Sequence, residues 1–252
     1  MFDLTTEVVL LLMGAAFVAG FVDSIAGGGG LITLPALLLA GVPPVTALAT
    51  NKVQGLFGAG MAAVTYARAG HVNLRRQLRA AALSFAGAVI GALLASSLPT
   101  DLIRLGLPVL LIAVAVFFAV KPGLDDIDKQ ERITPVLFTI TFVPLIGFYD
   151  GLLGPGAGAF FMIGFVSLAG YGILRATANT KLLNFASNLG GLVGFMLVSP
   201  PLWALGLAMG VAQMAGAYLG STLASRIGAK LIKPVLVIAS SALAFKLLAE
   251  WF

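Results

Sequence analysis

The chain has 252 residues, of which 60% are hydrophobic and only 10% are charged. Soluble domains carry about a quarter charged residues, so this composition excludes an ordinary soluble globular protein. There is no cysteine and a single histidine, which excludes disulfides and thiolate chemistry and offers no histidine cluster for a metal. The net charge of +5 is interpreted as a sign of membrane orientation and not of nucleic-acid binding.

Apolar segments follow one another along almost the whole chain. Two stretches, 24–51 and 182–225, contain no Asp, Glu, Lys or Arg, and each can hold at least one bilayer crossing of about 20 residues. The predicted segments are 6–26, 31–41, 45–68, 77–98 and 102–120, then 133–153, 157–170, 174–198, 202–225 and 231–250. We therefore predict an all-α polytopic membrane protein with about ten transmembrane segments.

The second and seventh of these segments are short for a crossing. Each is either a half-helix or the return arm of a re-entrant hairpin, and the sequence leaves both alternatives open. If the segment turns back, the preceding one must turn back with it, because inverted halves need an odd number of crossings each.

The two halves of the chain share a series of features in the same order. GFVDSIAGGGGL at Gly20 is matched by GFYDGLLGPGAG at Gly147, and ALATNK at Ala47 by ATANTK at Ala176. GAVIGALLAS at Gly87 is matched by GAYLGSTLAS at Gly216. We predict a duplication with a first transmembrane repeat at 1–123, a polar linker at 124–132 and a second repeat at 133–252. Small residues at four-residue spacing in the last pair indicate close helix packing.

Basic residues occupy non-equivalent loops in the two halves. Arg68, Arg75, Arg76 and Arg79 surround the third-to-fourth loop of the first half, whereas the matching SPPL loop at Ser199 has no charge. Arg226 and Lys230 flank the fourth-to-fifth turn of the second half instead. Because cytoplasmic loops are rich in Lys and Arg, the pattern predicts inverted-topology repeats with both termini outside.

Four isolated charges interrupt the apolar segments at equivalent positions of the two repeats. They are two acid–base sets, Asp23 with Lys52 and Asp150 with Lys181. A charge within the hydrocarbon costs about 2.5–3.5 kcal/mol on insertion scales, so such residues usually face a cavity and mark a pathway.

Glycine runs follow both aspartates and predict a break in each helix. Gly27, Gly28, Gly29 and Gly30 form the first run, and Gly154-Pro155-Gly156 forms the second. Irregular backbone inside a membrane is tolerated only where protein or a watery cavity receives its N–H groups. The next helix then begins with free N–H groups and a positive dipole end, which suits an anion.

The predicted substrate site combines these elements. Its cations are Lys52 and Lys181, its hydrogen-bonding side chains are Asn51, Gln54, Asn179, Thr180 and Asn184, and its backbone groups come from Gly28, Gly29, Gly30 and Gly156. Asp23 and Asp150 have either a coupling role, in which one of them carries a proton, or a structural role. In the structural role each carboxylate accepts hydrogen bonds from the backbone N–H groups of its own loop and fixes the break. The alternative for each lysine is a buried ion pair with the aspartate of its own half.

The sequence resembles the sulfite exporter family TauE/SafE. The resemblance rests on GFVDSIAGGGGLITLPALLLAGVPPVTALATNKVQG, on the weaker copy GFYDGLLGPGAG and on RATANTKLLNF, and it extends over essentially the whole chain. It implies a multi-pass inner-membrane carrier that moves small anions such as sulfite or organosulfur compounds, generally outward. Pro155 and Ala157 stand where the first copy has glycines, so the two half-sites need not contribute equally.

The paired charges and helix breaks predict a secondary transporter of a small anion that works by alternating access. The resemblance implies that it exports sulfite or an organosulfonate across the cell inner membrane. The alternative is a passive channel for a small anion or neutral solute. ATP-driven pumping is not expected, because the chain has no phosphate-binding GxxxxGK[ST] motif, and no cofactor is expected. The absence of cysteine and the lone histidine argue against an enzyme, and the rival is a membrane-integral hydrolase that uses the two buried aspartates. The expected partners are a small inorganic or organosulfur anion and the lipid bilayer, without nucleic acid, and a homo-oligomer is left open.

Overall fold

The computed structural model describes residues 5–95 and 126–232, together with 234, 235 and 238. Every regular element in this part of the chain is helical. The helices are α1 (Thr6–Ala26), α2 (Gly30–Leu39), α3 (Pro44–Arg68), α4 (Leu78–Ala95) after a 3₁₀ turn (Leu74–Gln77), α5 (Pro135–Leu152) with a π-helical turn (Phe138–Phe142), α6 (Ala157–Ser167), α7 (Ile173–Met196) and α8 (Trp203–Ile227). The predicted segment 102–120 lies outside the described residues, and 231–250 lies almost wholly outside them.

Within the described residues, three helical stretches are long and apolar enough to cross a membrane: Thr6–Ala26, Leu74–Ala95 and Pro135–Leu152. Helices α2 and α6 are also apolar but have only 10 and 11 residues. At 1.5 Å per residue each is about 15 Å long, roughly half of the hydrocarbon thickness. The short second segments are therefore confirmed as short helices that cannot span the bilayer alone.

Helices α3 and α7 lie at the centre of the bundle and pack against each other. Helix α8 packs against both α3 and α1, and helix α4 packs against both α7 and α5. The same set of contacts results when each helix of the first predicted repeat is exchanged for its equivalent in the second, namely α1 for α5, α3 for α7 and α4 for α8. Among the described helices, α7 has many buried positions along its whole length, which fits its central place.

Small residues bring these helices into backbone contact. A Cβ atom added at Gly91 of α4 would lie 2.0 Å from the carbonyl oxygen of Phe148 in α5. One added at Gly216 of α8 would lie 2.0 Å from the carbonyl oxygen of Phe17 in α1. The structure thus confirms the interpretation of these glycines as helix-packing positions.

Replacing Gly91 or Gly216 with Ala is expected to destabilise the protein by at least about 1–3 kcal/mol, because the added methyl group forces two backbones apart. Thermal unfolding of the purified variants in detergent measures the effect. Gly14→Ala is the matched control, since nothing lies within 4 Å of a Cβ at that helical position. Equal unfolding midpoints for all three variants would contradict the packing role.

Two aspartates of the predicted linker hold the start of α7. Asp128 Oδ1 accepts a hydrogen bond from the Gly172 backbone N–H at 2.7 Å, and Asp126 Oδ1 accepts one from Leu174 N–H at 3.1 Å. The Gly172 hydrogen bond and the neighbouring Arg175 guanidinium lower the pKa of the Asp128 carboxyl. Carboxylates near a helix N-terminus complement its dipole, so this segment fixes where α7 begins.

Candidate functional site

The helix breaks occur at the predicted glycine runs and lie against each other. Helix α1 ends at Ala26 and α2 begins at Gly30, while α5 ends at Leu152 and α6 begins at Ala157. A Cβ atom at Gly27 would lie 2.4 Å from the backbone nitrogen of Ala159. The two predicted repeats therefore touch at their irregular backbone, and only a residue without a side chain fits at this point.

A small polar cavity of about 20 Å³ lies where the breaks meet. This volume is room for about one water molecule. The first residues of α2 and of α6 line it, so two helix N-termini face one space. The complete lining is Asp23, Gly28, Gly29, Gly30, Asn51, Gly55, Asp150, Gly154, Gly156, Ala157, Gly158, Asn184, Asn188 and Gln213.

Asp23 stabilises the first break directly. Its Oδ1 accepts a hydrogen bond from the backbone N–H of Gly29 at 2.9 Å, and its backbone carbonyl accepts one from Gly27 N–H at 2.9 Å. The hydrogen bond that the structural alternative expects is thus present at Asp23, and the choice between a structural and a coupling role stays a prediction. The side chain is only 6% exposed and still lines the cavity.

The buried lysines pair with aspartates of the opposite half. Lys52 of α3 donates to the Asp150 carboxylate at 2.6 Å and to the Asp150 backbone carbonyl. Lys181 of α7 donates to the Asp23 backbone carbonyl and lies 4.0 Å from its Oδ2. The alternative of an ion pair within each half was wrong, because each lysine pairs with the aspartate of the other half. Each ammonium group also lies at the C-terminal end of a broken helix, which the helix dipole favours.

The two ion pairs are not identical. Asp150 accepts hydrogen bonds from both Lys52 and the Ser187 hydroxyl, so its two carboxylate oxygens are both occupied. Asp23 has the backbone N–H of Gly29 in place of a serine and a longer distance to its lysine. The repeat-equivalent of Ser187 is Gly58, which has no hydroxyl group. The two half-sites therefore differ in their hydrogen bonds, and their unequal contribution to binding stays a prediction.

Asn51 presents its amide nitrogen to the cavity because its oxygen is occupied. Asn51 Oδ1 accepts from Thr33 Oγ1 at 2.6 Å and from Gln54 Nε2 at 2.7 Å. A Cβ at Gly30 would lie 3.2 Å from Asn51 Nδ2. Gln54 is therefore not a lining residue but orients one.

Asn184 places an amide nitrogen at the second break. A Cβ at Gly158 would lie 3.3 Å from Asn184 Nδ2, while Asn184 Oδ1 faces the amide of Asn188 at 3.4 Å. The two breaks thus each have one asparagine nitrogen beside the start of the following helix.

Five residues of the predicted substrate site do not line the central cavity: Lys52, Lys181, Gln54, Asn179 and Thr180. Asn179 accepts a hydrogen bond from Gln77 and lines a separate cavity of about 370 Å³. Thr180 Oγ1 donates to the Ala176 carbonyl of its own helix at 2.9 Å. Lys52 and Lys181 are 1% exposed and do not line the central cavity. Gly28, Gly29, Gly30 and Gly156 do line it, as predicted.

Several lining residues were not predicted from the sequence. Gly154 and Gly158 belong to the quoted second motif, and Asn188 follows Asn184 by four residues, which places both on one face of α7. Gln213 is the single amide side chain of the predicted segment 202–225. An isolated amide side chain in an uncharged, apolar segment is a sequence feature from which Gln213 could have been predicted as a site residue.

The cavity combines hydrogen-bond donors of two kinds with two neutralised carboxylates. The donors are the helix N-termini and the asparagine amides, which suit oxygen atoms of a small polar ion. Within residues 5–95 and 126–232, no group of three or more His, Asp or Glu side chains is placed to hold a metal.

Apolar helices, two broken helices and a buried polar cavity between them together define a helical membrane protein of the kind that moves small solutes. The chain belongs to the sulfite exporter TauE/SafE family, whose model matches residues 12–247.

Three relatives illustrate the similarity. A protein of Sinorhizobium sp named "Probable membrane transporter protein ORF9" is 57% identical, over 98% of this chain and 95% of the relative. "Probable membrane transporter protein YfcA" of Escherichia coli K12 is 43% identical, over 95% and 91%. "Probable membrane transporter protein YdhB" of Bacillus subtilis is 25% identical, over 85% and 88%. No solved structure matches the chain.

Proposed function

We propose that this protein is a secondary transporter that exports sulfite or an organosulfonate across the inner membrane by alternating access. The observation that carries the proposal is the meeting of two helix breaks at one buried cavity, with the N-termini of α2 and α6 facing it. Helix N-termini bind anions through free N–H groups and the dipole. Membership of a family of exporters and the names of the relatives support transport over catalysis.

In this proposal the anion contacts side-chain amides and backbone N–H groups. The lysines do not contact the anion but pair with the two aspartates of the cavity wall. Lys52 and Lys181 neutralise Asp150 and Asp23, so the wall of the cavity carries no net charge from these four groups. Asn51 and Asn184 supply the side-chain donors nearest to the breaks. The direct lysine contact predicted from the sequence stays a prediction, as does proton coupling through either aspartate.

The packing pattern supports a duplicated chain, because equivalent helices and equivalent ion pairs of the two predicted repeats make equivalent contacts. Helix α1 on α8 corresponds to α5 on α4, and the pair Lys52–Asp150 corresponds to Lys181–Asp23. The division at 1–123 and 133–252, the inverted orientation and the outside location of both termini remain predictions. The charge asymmetry of the loops is their support.

The size of the cavity supports a mechanism with moving halves. About 20 Å³ is too little for sulfite, so the anion is bound only when the two breaks separate on one side. Rocking of one repeat against the other would open each side in turn. A passive channel, the alternative, would need a continuous opening through the same contact.

Removing either amide donor tests the proposal. We expect Asn51→Leu and Asn184→Leu each to lower sulfite uptake into proteoliposomes by about tenfold, because a buried hydrogen bond to a charged group is lost. Asn179→Leu is the comparison variant, since its amide lies at the other cavity, and uptake should stay near the wild-type rate.

Three results would contradict the proposal or replace it. Wild-type uptake no greater than in protein-free liposomes would exclude sulfite as a substrate. Unchanged uptake in both Asn51→Leu and Asn184→Leu would exclude this cavity as the binding site. Uptake that does not saturate and shows no counterflow would favour the channel.

A further inference from the structure

Gln213 of α8 is a buried side chain that lines the central cavity without a partner for its oxygen. The residue is 4% exposed, and its Oε1 is buried with no hydrogen-bond partner among the described residues. Buried polar atoms are almost always hydrogen-bonded in folded proteins. The oxygen is itself buried, so a ligand reaches it only when the two breaks separate, and a ligand that brings a hydrogen-bond donor would then satisfy it.

Two glycines on neighbouring helices make room for this side chain. A Cβ atom at Gly20 of α1 would lie 2.9 Å from Gln213 Cγ, and one at Gly58 of α3 would lie 2.8 Å from Gln213 Nε2. The side chain is enclosed from both sides along its length. Its amide group is thus held in place at the cavity.

We propose that Gln213 recognises an oxyanion that still carries a proton, such as hydrogen sulfite, and selects it over sulfonates and dianions. This inference rests on the proposed function and narrows its substrate. Gln213 Oε1 accepts a hydrogen bond from the O–H of the anion, and the amide nitrogen donates to one of its other oxygens. A sulfonate has no proton to donate and leaves the buried acceptor unpaired.

Two further features of the cavity favour a small, singly charged anion. Lys52 and Lys181 are paired with Asp150 and Asp23, so these four groups leave no net positive charge to balance the second charge of a dianion such as sulfate. Because the closed cavity has only about 20 Å³, a larger ligand requires the breaks to separate further, which favours a small anion over an organosulfonate.

Competition on the wild-type protein tests the inference without any substitution. Uptake of labelled sulfite into proteoliposomes is measured at a slightly acidic pH, where hydrogen sulfite predominates. Unlabelled sulfite, methanesulfonate or sulfate is added as the competitor. We expect methanesulfonate, a monoanion without a donor, and sulfate to compete at least about tenfold more weakly than sulfite, because sites built around a hydrogen bond reject analogues that lack it.

The variant Gln213→Met removes the amide and keeps the length of the side chain. We expect sulfite uptake to fall by about tenfold, methanesulfonate uptake to change little, and the preference between them to disappear. Gln77→Met is the matched control, because Gln77 Oε1 is also buried without a partner but lies away from the central cavity. Thermal unfolding in detergent identifies a variant that fails to fold, in which case the wild-type competition decides.

Equal competition by methanesulfonate and sulfite, or a Gln213→Met protein that keeps the preference for sulfite, would overturn the inference and leave transport itself intact. Failure of the proposed function gives a different result: no wild-type uptake of any of the three anions above that of protein-free liposomes, which would overturn both.

Discussion

Lys52→Met is expected to lower the stability of the protein by about 3–5 kcal/mol, because it leaves the carboxylate of Asp150 buried without its cation. Lys52 and Asp150 lie 2.6 Å apart, and their side chains are 1% and 3% exposed. For a chain of this size the midpoint of thermal unfolding in detergent should fall by roughly 10 °C. The double variant Lys52→Met/Asp150→Asn should recover most of this loss, since no uncompensated charge remains.

The matched control is an ion pair at the surface. Arg175 and Asp128 are bonded to each other with both side chains 50% exposed, so Arg175→Met should change stability by no more than about 1 kcal/mol. If Lys52→Met unfolds at the wild-type temperature, or if the double variant is no better than the single one, Lys52 does not act by neutralising Asp150.

Gly27→Ala is expected to be the most harmful single methyl addition at the site. Gly27 has φ +78°, and its added Cβ would lie 2.4 Å from the Ala159 backbone nitrogen in the other predicted repeat. The substitution therefore strains the backbone and pushes the two breaks apart. We expect a loss of more than about 3 kcal/mol in unfolding free energy and sulfite uptake near the background of protein-free liposomes.

Gly41→Ala separates the two causes. Gly41 has φ +83°, but nothing lies within 4 Å of a Cβ there, so only the backbone penalty of about 1–2 kcal/mol applies. Uptake by Gly41→Ala should remain close to that of the wild type. Equal losses in the two variants would mean that contact between the breaks adds nothing beyond backbone conformation.

The local features of the fold were predictable because they depend on neighbours in the chain. Glycine runs weaken a helix wherever they occur, and the observed breaks begin after Ala26 and Leu152, within the predicted motifs. The boundaries of α1 and α3 agree with the predicted segments to within a residue or so. Asp23 could be assigned to its own loop because a carboxylate reaches a backbone N–H six residues later.

The partners of the lysines were not predictable in the same way. Repetition shows that Lys52 and Lys181 are equivalent, but it does not show which aspartate each one meets. That choice depends on the α3–α7 contact, where Gly191 leaves space for the stem of Lys52. No local rule gives the packing of two distant helices.

Proximity in sequence also misled the choice of polar neighbours. Asn179 and Thr180 directly precede Lys181, yet each step along a helix turns the side chain by about 100°. Asn184 and Asn188 share one face of α7, and both line the cavity. Spacing around the helix, and not adjacency to a charge, identifies the residues that face the same space.

The crossed lysine–aspartate pairs have a consequence for biogenesis. When the first half leaves the ribosome, Lys52 and Asp23 have no ionic partners, because those partners are synthesised 98 and 158 residues later. Neither half can settle alone in the lipid without unpaired charges. We therefore expect the early helices to reach their full stability in the membrane only after the late helices have packed against them.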